Sequence, residues 1–274
     1  MTKRSTKDIF DEDEDTKQIS SKPTEEKVET VKSPEGNVLD LPSKGLLGYP
    51  SQVEYRDIMF GDEEKLASAS AENYARTMAG VLKSILMKCD FFEDMTIHDR
   101  DYALVWLWAN NYASIKKVPI KCPHCKHEET VSVDLTKLNI SDINEKIEKG
   151  FSIKLKKTDT AVKIKMYTVA HEIEAERYAA ANENTDIETI MLALSIDLGL
   201  PLSTEHKLKW VRENVSAKEM GHIKNFHRYF AYGVPKKIEH TCSECEGVTN
   251  IPLPFSAADI LYPETLQDDF ERML

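Results

Sequence analysis

Two cysteine pairs constrain this chain more than any other feature. Cys122 and Cys125 are separated by Pro123 and His124, and Cys242 and Cys245 by Ser243 and Glu244. A C-x-x-C turn presents two thiolates to one edge of a metal, and its own amides stabilise the sulfurs. Two such turns complete a tetrahedral Cys₄ set. The flanking residues strengthen this reading. Val118 and Ile120 alternate before the first pair, and Val131, Val133 and Leu135 after it. Ile238 precedes the second pair, and Ile251, Leu253 and Phe255 follow it. Each pair therefore sits in a strand–knuckle–strand hairpin, the form used by zinc ribbons.

The expected ligands are Cys122, Cys125, Cys242 and Cys245, holding one structural zinc per chain. Iron takes the same four ligands, so the sequence leaves that choice open. Four protein thiolates leave no position for water or substrate, which makes such a site structural. Redox dithiols are disfavoured because neither pair opens a helix after a strand. Disulfides are disfavoured because the start, MTKRSTKDIFDEDED, has no apolar run for a signal peptide. His124, His127 and His240 are read as exposed or as supporting groups around the thiolates. The fifth cysteine, Cys89, is read as a small buried hydrophobe on a helix stripe.

The 116 residues between the pairs exceed the gap of a compact ribbon, and internal similarity offers an explanation. Val53, Tyr55 and Arg56 correspond to Val162, Ile164 and Lys165 at an offset of 109. Cys122, Val131, Val133 and Leu135 correspond to Cys242, Ile251, Leu253 and Phe255 at an offset of 120. The difference is an insertion of 11 residues, placed around Leu202–Val215. Between these anchors each half carries two helices. In the first half Tyr74, Met78, Val81, Leu82, Ile85, Leu86 and Cys89 form one apolar stripe at helical spacing. A second helix opens at Thr96, with Asp99 three residues on as capping partner, and carries Tyr102, Val105, Trp106, Leu107, Trp108 and Tyr112 on more than one stripe. In the second half one helix starts near Asp186, and another starts at Ser216 with Glu219 as its partner.

The expected fold is α+β: two strand–helix–helix–knuckle lobes joined by a zinc-ribbon-like Cys₄ site. The first lobe spans 41–135 and the second 136–255, each ending in its C-x-x-C hairpin. A duplication is one reading. The other is a single α+β domain whose two cysteine hairpins converged. Residues 1–40 hold eleven acidic and seven basic residues and hardly a bulky apolar one after Phe10, so they read as a disordered acidic tail. Residues 256–274 read as a C-terminal helical segment.

Composition removes several function classes. The net charge is −11, a poor match for a phosphate backbone. The single basic stretch is Lys154, Lys156, Lys157, Lys163 and Lys165. No apolar run approaches the roughly 20 residues of a membrane span. P-loop, G-x-G-x-x-G, H-E-x-x-H and G-x-S-x-G motifs are absent from the sequence. His98-Asp99-Arg100-Asp101 is read as a helix start with exposed charges, and His222 and His227 as core or boundary residues. Trp106 and Trp108, two apart on one helix, point in different directions. One fills the core, and the other faces the second half or a partner.

Several segments carry a family resemblance. Asp40-Leu41-Pro42-Ser43-Lys44-Gly45, Tyr49-Pro50, Val53-Glu54-Tyr55-Arg56 and Asp62-Glu63-Glu64-Lys65-Leu66 resemble the opening of the T4-type phage baseplate protein family. Asp99-Arg100-Asp101-Tyr102 and the hairpin running into Val131-Ser132-Val133-Asp134-Leu135 are similar too. The resemblance covers residues 39–175, and the family includes baseplate hub subunits and hub assembly factors. It implies a non-catalytic role, binding other baseplate or hub proteins, in the virion baseplate or in the host cytoplasm during tail assembly. From another class, the alternative is a zinc-ribbon nucleic-acid-binding or transcription-associated protein.

Overall fold

The computed structural model describes residues 37–253, apart from 71–72, 113 and 183–184. The first half opens with the hairpin β1 (Asn37–Asp40) and β2 (Gln52–Tyr55). Helices α1 (Phe60–Ala67) and α2 (Tyr74–Ile85) follow, and the two-residue strand β3 (Leu86–Met87) returns to pair with β2. Next come α3 (Ile97–Asn111) and the long hairpin β4 (Ile115–Lys121) and β5 (Glu128–Asp134).

The second half repeats this order. The hairpin β6 (Phe151–Lys154) and β7 (Ala161–Ile164) precedes α4 (Val169–Ala181) and α5 (Ile187–Ser195). Strand β8 (Ile196–Asp197) pairs with β7, as β3 does with β2. After an extra helix, α6 (Thr204–Asn214), come α7 (Ala217–Tyr229) and the hairpin β9 (Lys237–Thr241) and β10 (Val248–Pro252). Helix α6 lies in the segment, around Leu202–Val215, where the two offsets differ.

The helix starts follow capping chemistry. The Thr96 hydroxyl accepts from the Asp99 amide at the start of α3, and the Ser216 hydroxyl accepts from the Glu219 amide at the start of α7. These are the same positions at an offset of 120, and each satisfies an amide that a helix end leaves open.

Three apolar clusters hold the described chain together. The first gathers Leu39, Val53, Tyr55, Met78, Leu82, Ile85, Phe92, Leu104 and Leu107. The second gathers Leu155, Val162, Ile164, Ile190, Ile196, Leu208, Ile223 and Phe226. The third is smaller: Val105 and Trp108 of α3 with Val118, Val133, Leu135, Ile251 and Leu253 of both long hairpins. This explains why α3 is apolar on two stripes. Leu104 and Leu107 face the first cluster, while Val105 and Trp108 face the third.

Some expectations change. The α2 stripe ends at Ile85, because Leu86 and Met87 leave the helix to pair with Tyr55 and Glu54. Lys88 then takes a φ of 54°, so Cys89 is a buried core residue in the following turn and not on a helix. Residues 37–40, expected in the disordered tail, form β1. The remainder of that tail and the C-terminal segment 256–274 lie outside the described residues. At the α3 start Asp99 and Arg100 are buried, not exposed, while Asp101 is half-buried. Asp99 accepts from the Ser43 amide and the Tyr49 hydroxyl, and Arg100 pairs with Asp101 and Glu172. Among the described residues no helix is long and apolar enough to cross a membrane.

Candidate metal centre

Each cysteine pair occupies the six-residue turn of a long hairpin. Lys121↔Glu128 closes the first turn and Thr241↔Val248 the second. Their backbone bonding is the same. The Cys122 amide donates to the His127 carbonyl and the Cys242 amide to the Gly247 carbonyl. The Lys126 and Glu246 amides return to the carbonyls of Cys122 and Cys242, both 3.1 Å or less. To close the turn, Lys126 and Glu246 adopt φ of 67° and 56°, a left-handed conformation that side chains rarely take.

The sulfurs are cradled by the same amides in both turns. Cys122 Sγ accepts from the amides of Cys125 and His124, and Cys242 Sγ from those of Cys245 and Glu244. Cys125 Sγ accepts from the His127 amide and Cys245 Sγ from the Gly247 amide. This pattern stabilises negative charge on sulfur.

The two turns face each other. Cys122 Sγ lies 3.7 Å from Cys245 Sγ, and Cys125 Sγ lies 3.7 Å from Cys242 Sγ. All four sulfurs lie within 4.8 Å of one another, and the group could hold a metal ion. A tetrahedron with metal–sulfur bonds of about 2.3 Å has edges of about 3.8 Å, so the cross-turn spacings match that geometry. Cys122 and Cys242 are buried, while Cys125 and Cys245 are exposed.

The electrostatics point the same way. The Cys125 amide, with that of His124, draws the Cys122 thiol down to about 6. At Cys242 the Cys245 and Glu244 amides also pull down, but burial and the Cys125 and Cys122 sulfurs outweigh them and hold this thiol above its ordinary value. Four thiolates at such spacings repel one another, and a cation is what lets all of them ionise together.

Two histidines reach across from one hairpin to the other. His240 Nε2 donates to Glu129 Oε1 at 3.1 Å, and His124 Nε2 donates to the Val248 carbonyl at 3.4 Å. Residue 247 must be small, because a Cβ there would lie 2.7 Å from His124 Cδ2 and 3.1 Å from Cys245 Sγ. The sequence reads His124, His127 and His240 as exposed or supporting groups, and His124 and His240 make side-chain contacts across the hairpins. The sequence did not show that Glu129 and Gly247 complete the support, since neither carries a motif.

Three of the five lysines of the basic stretch are engaged locally. Lys154 pairs with Asp159 and Lys165 with Asp197, and Lys157 Nζ donates to the Glu213 carbonyl.

A family model described as T4 bacteriophage base plate protein matches residues 27–248. The match runs through both halves and ends within the second cysteine hairpin. No curated protein and no solved structure matches the chain. The chain belongs to the family of T4 bacteriophage base plate proteins, and its role is accordingly a structural one in the phage tail baseplate, among protein partners.

Proposed function

We propose that the chain is a structural or assembly protein of the baseplate hub, acting by protein–protein binding and not by catalysis. Residues 41–135 and 136–255 are read as the two lobes of a duplication, and one zinc held by Cys122, Cys125, Cys242 and Cys245 joins their hairpins. The four-thiolate cluster between the two halves is the observation that carries this reading. Each long hairpin is only two-stranded, and isolated two-stranded hairpins are marginal in water. The third cluster that joins them contains seven buried side chains. A structural zinc site contributes on the order of 10 kcal/mol to folding, enough to fix both hairpins against each other. A closed Cys₄ set supplies no coordination position for substrate, which supports a structural role.

Binding to nucleic acid would require a cluster of free cations. Lys154, Lys157 and Lys165 are each held locally, so the protein is expected to bind nucleic acid weakly at best. Mass spectrometry of purified particles and of isolated baseplate intermediates tests the reading. Detection in either supports it, and presence in mature particles distinguishes a permanent subunit from an assembly factor. Absence from both preparations contradicts it.

A further inference from the structure

The two halves of the chain meet along a short backbone seam. The Ile97 amide donates to the Tyr167 carbonyl at 3.1 Å, and the Val169 and Ala170 amides donate to Met95 and Glu93 at 2.9 and 3.0 Å. Thr96 and Thr168 form an antiparallel bridge at its centre. One strip, 93–97, thus leads into α3, and the other, 167–170, leads into α4.

The internal correspondence gives each strip a counterpart in the other half. At the offset of 109, Tyr167, Thr168 and Val169 correspond to Ile58, Met59 and Phe60. Thr168 and Met59 are the N-caps of α4 and α1, which fixes this register independently. At the offset of 120, Glu93, Met95, Thr96 and Ile97 correspond to Glu213, Val215, Ser216 and Ala217. Thr96 and Ser216 are the N-caps of α3 and α7, which fixes the second register.

The counterparts are open where the originals are covered. Val169 is 0% exposed, whereas Phe60 is 73% and Met59 61% exposed. Met95 and Thr96 are buried, whereas Val215 is half-buried and Ser216 and Ala217 are exposed. The side-chain sizes change reciprocally only at the centres of the strips. On the first strip Thr168 and Val169 are replaced by the larger Met59 and Phe60, while the flanking Tyr167 and Ala170 are replaced by the smaller Ile58 and Gly61. On the second, Met95, Thr96 and Ile97 are replaced by the smaller Val215, Ser216 and Ala217. At these central positions a bulkier knob and a shallower rim are complementary changes, and they lie in different halves of the same chain.

We propose that a second copy of this chain docks here, with Met59–Phe60 of one molecule set against Val215–Ala217 of the next. The contact repeats the internal seam between molecules. The Phe60 amide would donate to the Val215 carbonyl, and the Ala217 amide to the Ile58 carbonyl. The Glu213 carbonyl already holds Lys157 Nζ at 2.5 Å, so the third exchange of the internal seam is not reproduced. Because two different surfaces meet, the contact is head-to-tail, and such contacts build rings or open arrays. Exposed adjacent apolar side chains are the usual mark of such a surface. The inference rests on the internal correspondence and goes beyond the hub role, which particle composition tests separately.

Sedimentation velocity on the full zinc-loaded chain tests it. The wild type should associate as concentration rises, and Phe60→Glu and Ala217→Glu should each be monomeric. An equimolar mixture of the two variants should form a one-to-one complex and nothing larger, since each retains one intact face. Both substituted positions are exposed, and unchanged zinc content and circular dichroism separate loss of docking from loss of fold. A wild type that stays monomeric at every concentration would overturn the proposal. So would a mixture of variants that fails to pair, or Ala217→Glu associating like the wild type.

Discussion

Tyr49 donates its hydroxyl to Oδ2 of Asp99 at 2.6 Å, across 50 residues of sequence. Oδ1 of the same carboxylate takes the Ser43 amide at 3.1 Å. The Leu41-Pro42-Ser43-Lys44-Gly45 and Tyr49-Pro50 segments are therefore one device that wraps the first loop around the start of α3. The second half uses the same device in a shorter form. Glu219, at the position of Asp99, accepts the Lys156 amide at 2.7 Å. Burial, followed by the charge of Asp99, pushes the Tyr49 hydroxyl up to about 12, so it stays a donor at any working pH. Asp99→Ala would leave the Ser43 amide without its acceptor in a buried site, and the Tyr49 hydroxyl with only the longer contact of 3.3 Å to Thr96 Oγ1. It is expected to cost about 3 kcal/mol, and Tyr49→Phe about 1 kcal/mol. Urea unfolding at neutral pH measures both, and equal losses would contradict the assignment of Asp99 as the hub of this network.

His227 gives the fold an acid limit. It stacks on Tyr167 with ring centres 3.7 Å apart, its Nε2 lies 3.1 Å from Ser195 Oγ, and its Nδ1 is buried without a partner among the described residues. Burial, followed by the nearby His98 and His171, pushes it down to about 3. The unfolded chain takes up this proton near pH 6.5, while the folded chain resists until about 3. The unfolded state thus binds more protons throughout that window, and stability falls as pH falls through it. The loss from this one group is on the order of 3 kcal/mol by pH 4. His98 and His171, each pushed down to about 4 mainly by burial, act with the same sign. His227→Phe should therefore reduce, without abolishing, the difference in urea midpoint between pH 7 and pH 4. An unchanged difference would rule out a neutral buried His227.

The lack of a side chain at Gly247 should matter to metal affinity. The Cβ of Gly247→Ala would meet His124 and press on Cys245 Sγ. Its effect is expected to be a loss of about tenfold in zinc affinity, the usual scale for disturbing a ligand's support. Chelator competition measures it. Adding His124→Ala should recover most of the loss by opening space, and affinity unaltered in the single variant would show that the turn relaxes freely.

The fold was legible where local pattern and tertiary role agree. The C-x-x-C hairpins, the Thr96 and Ser216 caps, the start of α5 at Asp186 and the α2 stripe as far as Ile85 follow from spacing alone. Helix α4 was not legible, because its inward face is partly polar. Glu172 pairs with Arg100, and Glu176 accepts the Ala75 and Arg76 amides at the start of α2. A face that docks through carboxylates gives no apolar stripe. Helix α6 was visible only as extra length. Strands β3 and β8 have two residues each, too few to carry an alternation. The gathering of the four sulfurs was legible from the motif, whereas Glu129 and Gly247 owe their contacts to the opposite hairpin, and that placement exists only after folding.

The central claim is that both cysteine pairs hold one metal, and metal content tests it most directly. Inductively coupled plasma mass spectrometry on the purified chain is predicted to give one zinc per chain. Cys122→Ser and Cys242→Ser should each abolish that zinc and lower stability by similar amounts, because each opens the same site. Two metals per chain, or full metal retention in either variant, would contradict the account.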